Sequence, residues 1–421
     1  MGAKGWAAFR HRDFRLFCAA RFAMALAIQI QTVAVAWLVY DSSGSALSLG
    51  LVGLASFLPT IALVLVTGLV ADRYSRRVIL ILVFSGMTLI SLGLLAQVHA
   101  GVPSLWPIYG LLVAFGAARA FGNPAAQAIV PGLVPAGDLA NAIAWNSSVL
   151  QVATISGPAV GGILYAVDPT APFLGSAVCF GLAALLVAAL RLRPADAKRE
   201  PVTWSRLVAG LVFLRAKPLL LGAISLDLFA VLLGGATALM PIFARDVFHV
   251  GPWGLGLLRS MPAVGAVIMA VVLAHSSLLS RRAGLRMLQA VGVFGLATVG
   301  FGLSTSFGLT LVLLAILGAA DMVSVVVRQT LVQAETPDEL RGRVAAVNTV
   351  FIGASNELGE FESGTLAWLV GASPAVVIGG IGTIMLAALW RFWFPDLAQR
   401  DQLIRSDGAA GGEPRKAPSL G

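Results

Sequence analysis

Residues 116–119 read Gly-Ala-Ala-Arg and residues 318–321 read Gly-Ala-Ala-Asp. The two stretches lie 202 positions apart. The same offset pairs Gln127 with Gln329, Pro135 with Pro337, Asn146 with Asn348, Gly157 with Gly359 and Gly162 with Gly364. Composition bias alone produces Gly and Ala coincidences, but not Asn, Gln and Pro in register. With a slight drift in offset, Gly50, Leu51, Ser56 and Pro59 match Gly254, Leu255, Ser260 and Pro262. An internal repeat of this length decides the architecture before any motif is interpreted. It makes the chain two copies of one unit.

Each copy is strongly apolar. Of the 421 residues, 58% are apolar and 12% charged, against about 25% charged in soluble domains. A helix crosses the hydrocarbon with about 20 apolar residues. Twelve such runs are present, near 16–40, 48–71, 78–97, 104–127, 140–166, 171–190, 219–242, 253–279, 287–304, 308–332, 344–369 and 373–395. The expected fold is an all-α membrane protein, twelve transmembrane helices in two pseudo-symmetric six-helix halves. Residues 1–190 form the first half, 191–218 a cytoplasmic linker, 219–395 the second half and 396–421 a disordered tail. In the linker, Trp204, Leu207, Val208 and Leu211 recur at helical spacing, which suits a helix lying on the membrane surface.

Basic residues collect on the cytoplasmic side of membrane proteins. With the amino terminus inside, the inner segments hold 24 of the 29 Lys and Arg, the outer loops hold Arg245 alone, and the spans hold Arg21, Arg119, Arg259 and Arg328. Both termini are therefore expected in the cytoplasm. The net charge of +9 marks topology and contact with anionic lipid, not nucleic acid. The two cysteines, Cys18 and Cys179, stand apart in apolar runs, which argues against a disulfide framework or zinc site. No nucleophile elbow, zinc-protease helix or phosphate-binding loop occurs, so an enzyme or an ATP-driven pump is not expected.

Two stretches carry recognisable motifs. The loop between spans 2 and 3 reads Gly68-Leu69-Val70-Ala71-Asp72-Arg73-Tyr74-Ser75-Arg76-Arg77. A short charged loop of this kind can latch the inner face. Gly68 lets helices approach, and Asp72 can sit against the positive end of a helix in the other half, with the start of span 11 after Arg341 and Arg343 as the candidate partner. The plainer reading makes Arg73, Arg76 and Arg77 topology anchors only. Span 5 contains Gly157-Pro158-Ala159-Val160-Gly161-Gly162. Its small residues allow close helix packing, and Pro158 can kink the helix where a gate seals.

On these residues the chain resembles the major facilitator superfamily over residues 10–395. The loop is similar to the family's G-x-x-x-D-R-x-G-R-R element, with Ser75 at the second glycine. Span 5 is similar to the G-P-x-x-G-G element of its antiporter branches, and Arg119 stands where proton-coupled exporters carry a basic residue. The pattern looks most like the enterobactin-exporter and macrolide-efflux branches. The resemblance implies a carrier that needs no cofactor and draws on the proton gradient.

The remaining candidates are charges inside the membrane. Arg119 lies deep in span 4, Asp227 in span 7, Asp321 in span 10, and Glu357, Glu360 and Glu362 in span 11. A charge at such depth costs about 2.5–3.5 kcal/mol on insertion scales, unless it faces water or a partner. Asp321 and Glu357 both fall near mid-membrane, and Glu357 and Glu360, three apart, share a helix face. Crowded, desolvated carboxylates take up protons readily, which is the chemistry of a relay. Structural ion pairing is the alternative, with Arg328 on the same face as Asp321 two turns on. Arg21 and Arg259 read as side chains that snorkel to the two surfaces. Gln29 and Gln31 lie deep in span 1, where one of them can face a central cavity. His11, His99, His249 and His275 read as interfacial or packing residues.

The expected function is export of an amphipathic organic molecule by proton antiport, using Arg119, Asp321, Glu357 and Glu360. The carrier is read as a monomer in a bacterial inner membrane, with a small-molecule substrate and the bilayer as its partners. The alternative is a proton-coupled or facilitative importer of a small nutrient, and outside transport a membrane scaffold or receptor.

Overall fold

The computed structural model describes residues 5–101, 104–191, 212–279 and 282–401. Among them there are helices, turns and no strand. The membrane helices are α1 (Arg12–Ser43), α2 (Ala46–Arg73), α3 (Arg76–His99), α4 (Leu105–Ile129), α5 (Leu139–Val167), α6 (Ala171–Ala188), α7 (Pro218–Leu233), α8 (Gly251–His275), α9 (Ala283–Leu303), α10 (Phe307–Glu335), α11 (Asp338–Val370) and α12 (Ala372–Trp393). Eleven spans, α7 counted with the turns after it, are long and apolar enough to cross a membrane. The twelfth, α11, has 33 residues and is set apart in composition by its own acids. Large apolar side chains such as Leu82, Leu89, Leu296 and Met385 are more than 60% exposed. A soluble protein hides such side chains in its core; around this bundle they face hydrocarbon.

The repeat is visible in the packing. In the first half α1 packs on α5 and α6, α2 on α4, and α3 on α4 and α6. In the second half α7 packs on α11 and α12, α8 on α10, and α9 on α10 and α12, the same partnerships six helices later. The glycines that open the two quoted stretches explain one of these contacts. A Cβ on Gly116 would lie 2.0 Å from the Ser56 carbonyl oxygen of α2, and one on Gly318 would lie 1.8 Å from the Pro262 carbonyl oxygen of α8. Each quoted stretch therefore begins where two backbones touch, which is why both copies keep a glycine there. The halves meet along two seams, α2 against α11 and α5 against α8. Shifting one seam by six helices gives the other, so the pair obeys the same pseudo-symmetry.

Span 7 departs from the single run expected over 219–242. After Leu233 the helix breaks at Gly234 and Gly235 and continues as a 3-10 turn (Ala236–Leu239), a single α turn (Met240–Ile242) and a π turn (Phe243–Val247). A Cβ on Gly235 would lie 2.5 Å from the Gly359 carbonyl oxygen of α11, so close approach fixes the break where two glycines permit it. Discontinuous helices of this kind line pathways in transporters.

Both ends of the described chain are tied down on the face where α1 begins, called here the Arg73 face; the opposite one is the Tyr40 face. The Gly5 carbonyl accepts hydrogen bonds from Asn141 Nδ2 (2.9 Å) and Trp145 Nε1 (2.8 Å). His11 Nε2 lies 3.0 Å from Asp138. Residues 396–401, expected in a disordered tail, are instead ordered. A short helix spans Pro395–Ala398, Asp401 accepts from the Arg282 N–H at 2.8 Å, and Arg400 pairs with Glu335 at 2.6 Å. These partners, distant in sequence, are what a composition-based reading of the tail misses. The linker helix expected around Trp204–Leu211 lies outside the described residues.

Candidate transport site

At mid-depth, between the halves, lies an open cavity of about 90 Å³. Arg119 reaches it from α4, and Glu357 and Glu360 reach it from α11. Arg119 Nη1 lies 3.7 Å from Glu357 Oε1, with the two side chains 37% and 21% exposed. This ion pair crosses from one half to the other. Arg119 thus shares a cavity with Glu357 and Glu360 of span 11, because α4 and α11 line it together with α1 and α2. Of the two glutamines offered by span 1, Gln31 lines the cavity. Its Oε1 accepts from Ser91 Oγ at 2.6 Å, which leaves the amide NH₂ to the cavity. Thr32, Ser56 and Gly53 also line it, with Val35, Val52, Leu112 and Phe115 as the apolar wall.

Glu360 sits against the other half. A Cβ on Gly53 of α2 would lie 2.9 Å from Glu360 Oε2 and 3.0 Å from its Cβ. The charges acting on Glu360 are Arg259, Arg119 and the neighbouring carboxylate of Glu357. Arg259 therefore does not snorkel to the surface. It is half-buried, turned toward Glu360, and its Nε has no hydrogen-bond partner among the described residues. Counting residues from the end of a run gives depth but not facing, and α8 is closed on its outer side by α5. Arg119, Glu357 and Glu360 thus line the cavity while Arg259 acts on Glu360 from outside its lining, and the four charges balance when all are ionised.

Asp321 is not in this centre. It lines a separate, smaller cavity with Asp227 and Ser324, inside the second half. Arg328, two turns along the same helix, does not pair with it. Arg328 Nη2 instead meets Asp227 Oδ2 of α7 at 3.2 Å, both side chains being under 10% exposed, and Nη1 donates to Asn348 Oδ1 at 2.8 Å. Glu362 is apart from both groups, beside Ser363 at 3.3 Å.

The span 5 glycines divide their work. Gly157 and Gly161 pack on α1, where a Cβ would lie 2.5 Å from Gln29 Cβ or 2.8 Å from Ile30 Cα. Gly162 packs across the seam, its Cβ position 2.4 Å from the Pro252 carbonyl oxygen and 3.0 Å from Gly256 Cα of α8. Pro158 is buried within α5 and touches Gly256 through its carbonyl. On the other seam, Gly364 meets Gly50 in the same manner. The Tyr40 face adds a polar clasp. Tyr40 Oη donates to Asp246 Oδ2, Arg245 lies 3.5 Å from Asp41, and the Arg245 guanidinium stands 5.6 Å from the Tyr40 ring centre. The π turn after span 7 supplies both second-half residues.

Of the loop motif, Gly68 and Asp72 fall within α2, whose last residue is Arg73, and only Tyr74 and Ser75 separate it from α3. The side chain of Asp72 lies outside the described residues. Ser75 has φ −58°, a value open to any residue, which accounts for a serine in place of the family's second glycine. Arg73 is exposed, and Arg77 donates to the Ala188 carbonyl at the carboxyl end of α6, tying two helices of its own half.

Two six-helix halves joined by paired seams around a charged central cavity define a secondary transporter, and the chain belongs to the major facilitator superfamily. Residues 3–408 match the family described as transmembrane secretion effectors. The enterobactin exporter EntS of Shigella dysenteriae serotype 1 (strain Sd197) is 30% identical over 385 residues, covering 89% of this chain and 86% of that one. The enterobactin exporter EntS of Citrobacter koseri is 28% identical over 389 residues, covering 90% and 91%. In fold the chain is similar to a bacterial homologue of the human lysosomal transporter Spinster in an inward-facing, occupied conformation, with TM-score 0.71, 15% identity and coverage of 90% and 96%. It is also similar to a bacterial homologue of the iron transporter ferroportin, with TM-score 0.68, 16% identity and coverage of 92% and 99%. The protein is a multi-pass membrane transporter and not an enzyme.

Proposed function

We propose that the chain exports an amphipathic organic molecule, siderophore-like or drug-like, in exchange for protons, by alternating access of the central cavity. The observation that carries this reading is the Arg119–Glu357 pair, a bond between the halves inside the open central cavity. A proton on Glu357 or Glu360 removes a partner from Arg119 or Arg259. A substrate that offers hydrogen-bond donors or positive charge to the same carboxylates competes with that proton. Mutual exclusion at one site is a coupling free energy, and it makes the two fluxes opposite. An anionic substrate would bind together with the proton and give symport.

The Tyr40 face is assigned to the outside and the Arg73 face, with both termini, to the cytoplasm. The setting is a bacterial inner membrane, with the monomer as the transporting unit, the proton gradient as the energy source and no cofactor. The relatives named as enterobactin exporters support a catecholate siderophore as the first probe.

The test is transport of enterobactin by the full chain in proteoliposomes, acidic outside and alkaline within. Antiport drives the probe from lumen to bath, and Glu360→Gln uncouples it. Accumulation in the lumen under the same gradient overturns antiport in favour of import. Flux that persists without pH dependence when both Glu357 and Glu360 are neutralised overturns the proton reading, and no flux of enterobactin overturns it as the substrate.

A further inference from the structure

We infer that Ser91, a buried serine of α3 that does not line the central cavity, is a positioning residue for substrate recognition: it turns the Gln31 amide so that the NH₂ group donates to a carbonyl oxygen of the substrate. This rests on the reading of that cavity as the substrate site, and it names one group the substrate carries.

The hydrogen bond itself sets the orientation. Ser91 Oγ lies 2.6 Å from Gln31 Oε1, within the range of about 2.5–3.0 Å for O–H···O bonds and short of the range of about 2.7–3.2 Å for N–H···O bonds. The amide oxygen therefore faces the serine, and the nitrogen does not. Ser91 Oγ is also 3.0 Å from the Met87 carbonyl, but that oxygen already accepts the Ser91 N–H in the ladder of α3, whereas Gln31 Oε1 has no other partner among the described residues. The single hydroxyl proton goes to Gln31. Ser91 is 0% and Gln31 2% exposed, so bulk water does not compete for the bond.

The other end of the amide is left to the cavity. Gln31 lines it, and its Nε2 makes no hydrogen bond among the described residues. A buried donor without an acceptor is costly, and what fills the cavity supplies the acceptor. The lining hydroxyls do not share this task, because Thr32 and Ser56 donate to the Ile28 and Val52 carbonyls of their own helices at 2.8 and 3.0 Å. Arg119 is engaged by Glu357. With the acids ionised, Gln31 is the uncharged, uncommitted donor among the lining side chains. It suits a neutral acceptor, since a carboxylate or phosphate would meet Glu357 and Glu360 within the same cavity. An amide or ester carbonyl is such an acceptor. The substrate thus turns a carbonyl toward α1 and its donors or positive charge toward α11.

The experiment is nuclear magnetic resonance of the full chain in lipid nanodiscs, isotopically labelled at the glutamine side-chain nitrogen. Gln31→Glu keeps an oxygen for Ser91 but has no NH₂, so it identifies the Gln31 signal by its loss; Gln31→Met serves should that variant not fold. Two small probes are titrated: N,N-dimethylacetamide, a carbonyl acceptor with no donor, and tetramethylammonium, a cation with no acceptor. The first is expected to shift the Gln31 signal saturably and the second to leave it in place. Ser91→Ala is expected to cut the shift about twofold or more, because the freed amide spends only part of its time in the productive orientation. Ser91→Thr, which returns the hydroxyl, is expected to restore it. A Gln31 signal that does not respond to dimethylacetamide overturns the inference, as does an equal response to tetramethylammonium or an undiminished one in Ser91→Ala. Neither a gradient nor enterobactin is used, so failure of antiport leaves this result standing, and the reverse.

Discussion

Replacing Gly162 by alanine presses a methyl group into the seam between α5 and α8. Its Cβ would lie 2.4 Å from the Pro252 carbonyl oxygen, 3.0 Å from Gly256 Cα and 3.1 Å from Gly256 N, all backbone atoms that no rotamer change can move. Bringing the shortest contact to even 3.0 Å requires the helices to part by about 0.6 Å. Overpacking of this kind costs about 1–3 kcal/mol. The cost falls on the arrangement in which this seam is shut and not on one in which the halves have separated there. The ratio of separated to shut forms therefore rises about 5- to 150-fold. The assay is a pair of spin labels at Ser42 and His249, exposed positions on opposite halves of the Tyr40 face, in a background carrying Cys18→Ala and Cys179→Ala. Pulsed-resonance distances should gain a longer component in Gly162→Ala. Gly110→Ala, where a Cβ meets nothing within 4 Å, should leave the distribution unchanged. An unchanged distribution in Gly162→Ala at wild-type melting temperature refutes the view that this seam opens and closes.

At 3.7 Å the Arg119–Glu357 attraction is about 1 kcal/mol in a water-like medium and about 4 kcal/mol at an effective dielectric constant near 20. With Arg119 partly exposed, screening favours the lower part of that range, so a thermal-melt double-mutant cycle of Arg119→Gln and Glu357→Gln should give a coupling of about 1–2 kcal/mol, and independent effects would remove the bridge. Tyr40→Phe deletes the hydroxyl that reaches Asp246 and should cost about 1–2 kcal/mol, read as faster maleimide labelling of Ser42→Cys; an unchanged rate argues against the clasp. Between α5 and α6, the Thr170 hydroxyl and N–H donate to Asp168 and hold its pKa below the ordinary 3.8. The contribution to stability is therefore present above that value and lost as pH falls through the lowered pKa. Asp168→Ala should lower the melting temperature at neutral pH, with a difference that closes in strong acid; a difference constant with pH would contradict the sign.

The fold was legible because length, apolarity and repeat all act along the chain. Twelve runs and one offset suffice to pair helices six apart, and Gly116 and Gly318 mark backbone contacts that a sequence can announce. The site was legible in its membership more than in its arrangement. Arg119, Glu357 and Glu360 were recognised as charges too deep to be incidental, and they do share a cavity. Arg259 was read as snorkelling because a count of residues from a helix end says nothing of which neighbour covers it. Arg328 was offered to Asp321 by helical periodicity, but two turns along an axis are a longer reach than the 3.2 Å to Asp227 on the adjoining helix. The clasp escaped entirely, since Tyr40 and Asp246 are 206 residues apart and only a broken span 7 brings the π turn over α1. The ordered residues 396–401 escaped for the same reason.

The repeat also bears on how such a chain could have arisen. At the offset of 202, Arg119 corresponds to Asp321, Glu357 to Ile155 and Glu360 to Pro158. Two copies of the first half, associated through the same seams, would set Arg119 opposite Ile155 and Pro158 and strand a guanidinium in each copy. Two copies of the second half would lack Arg119 and leave Arg259 as the guanidinium for both Glu357 and Glu360 in each copy. Only the mixed pairing is neutral. A duplicated ancestor that assembled with itself could drift freely in either copy, but once the charges diverged the halves became obligate companions. The divergence left in each half a charge that the other half balances.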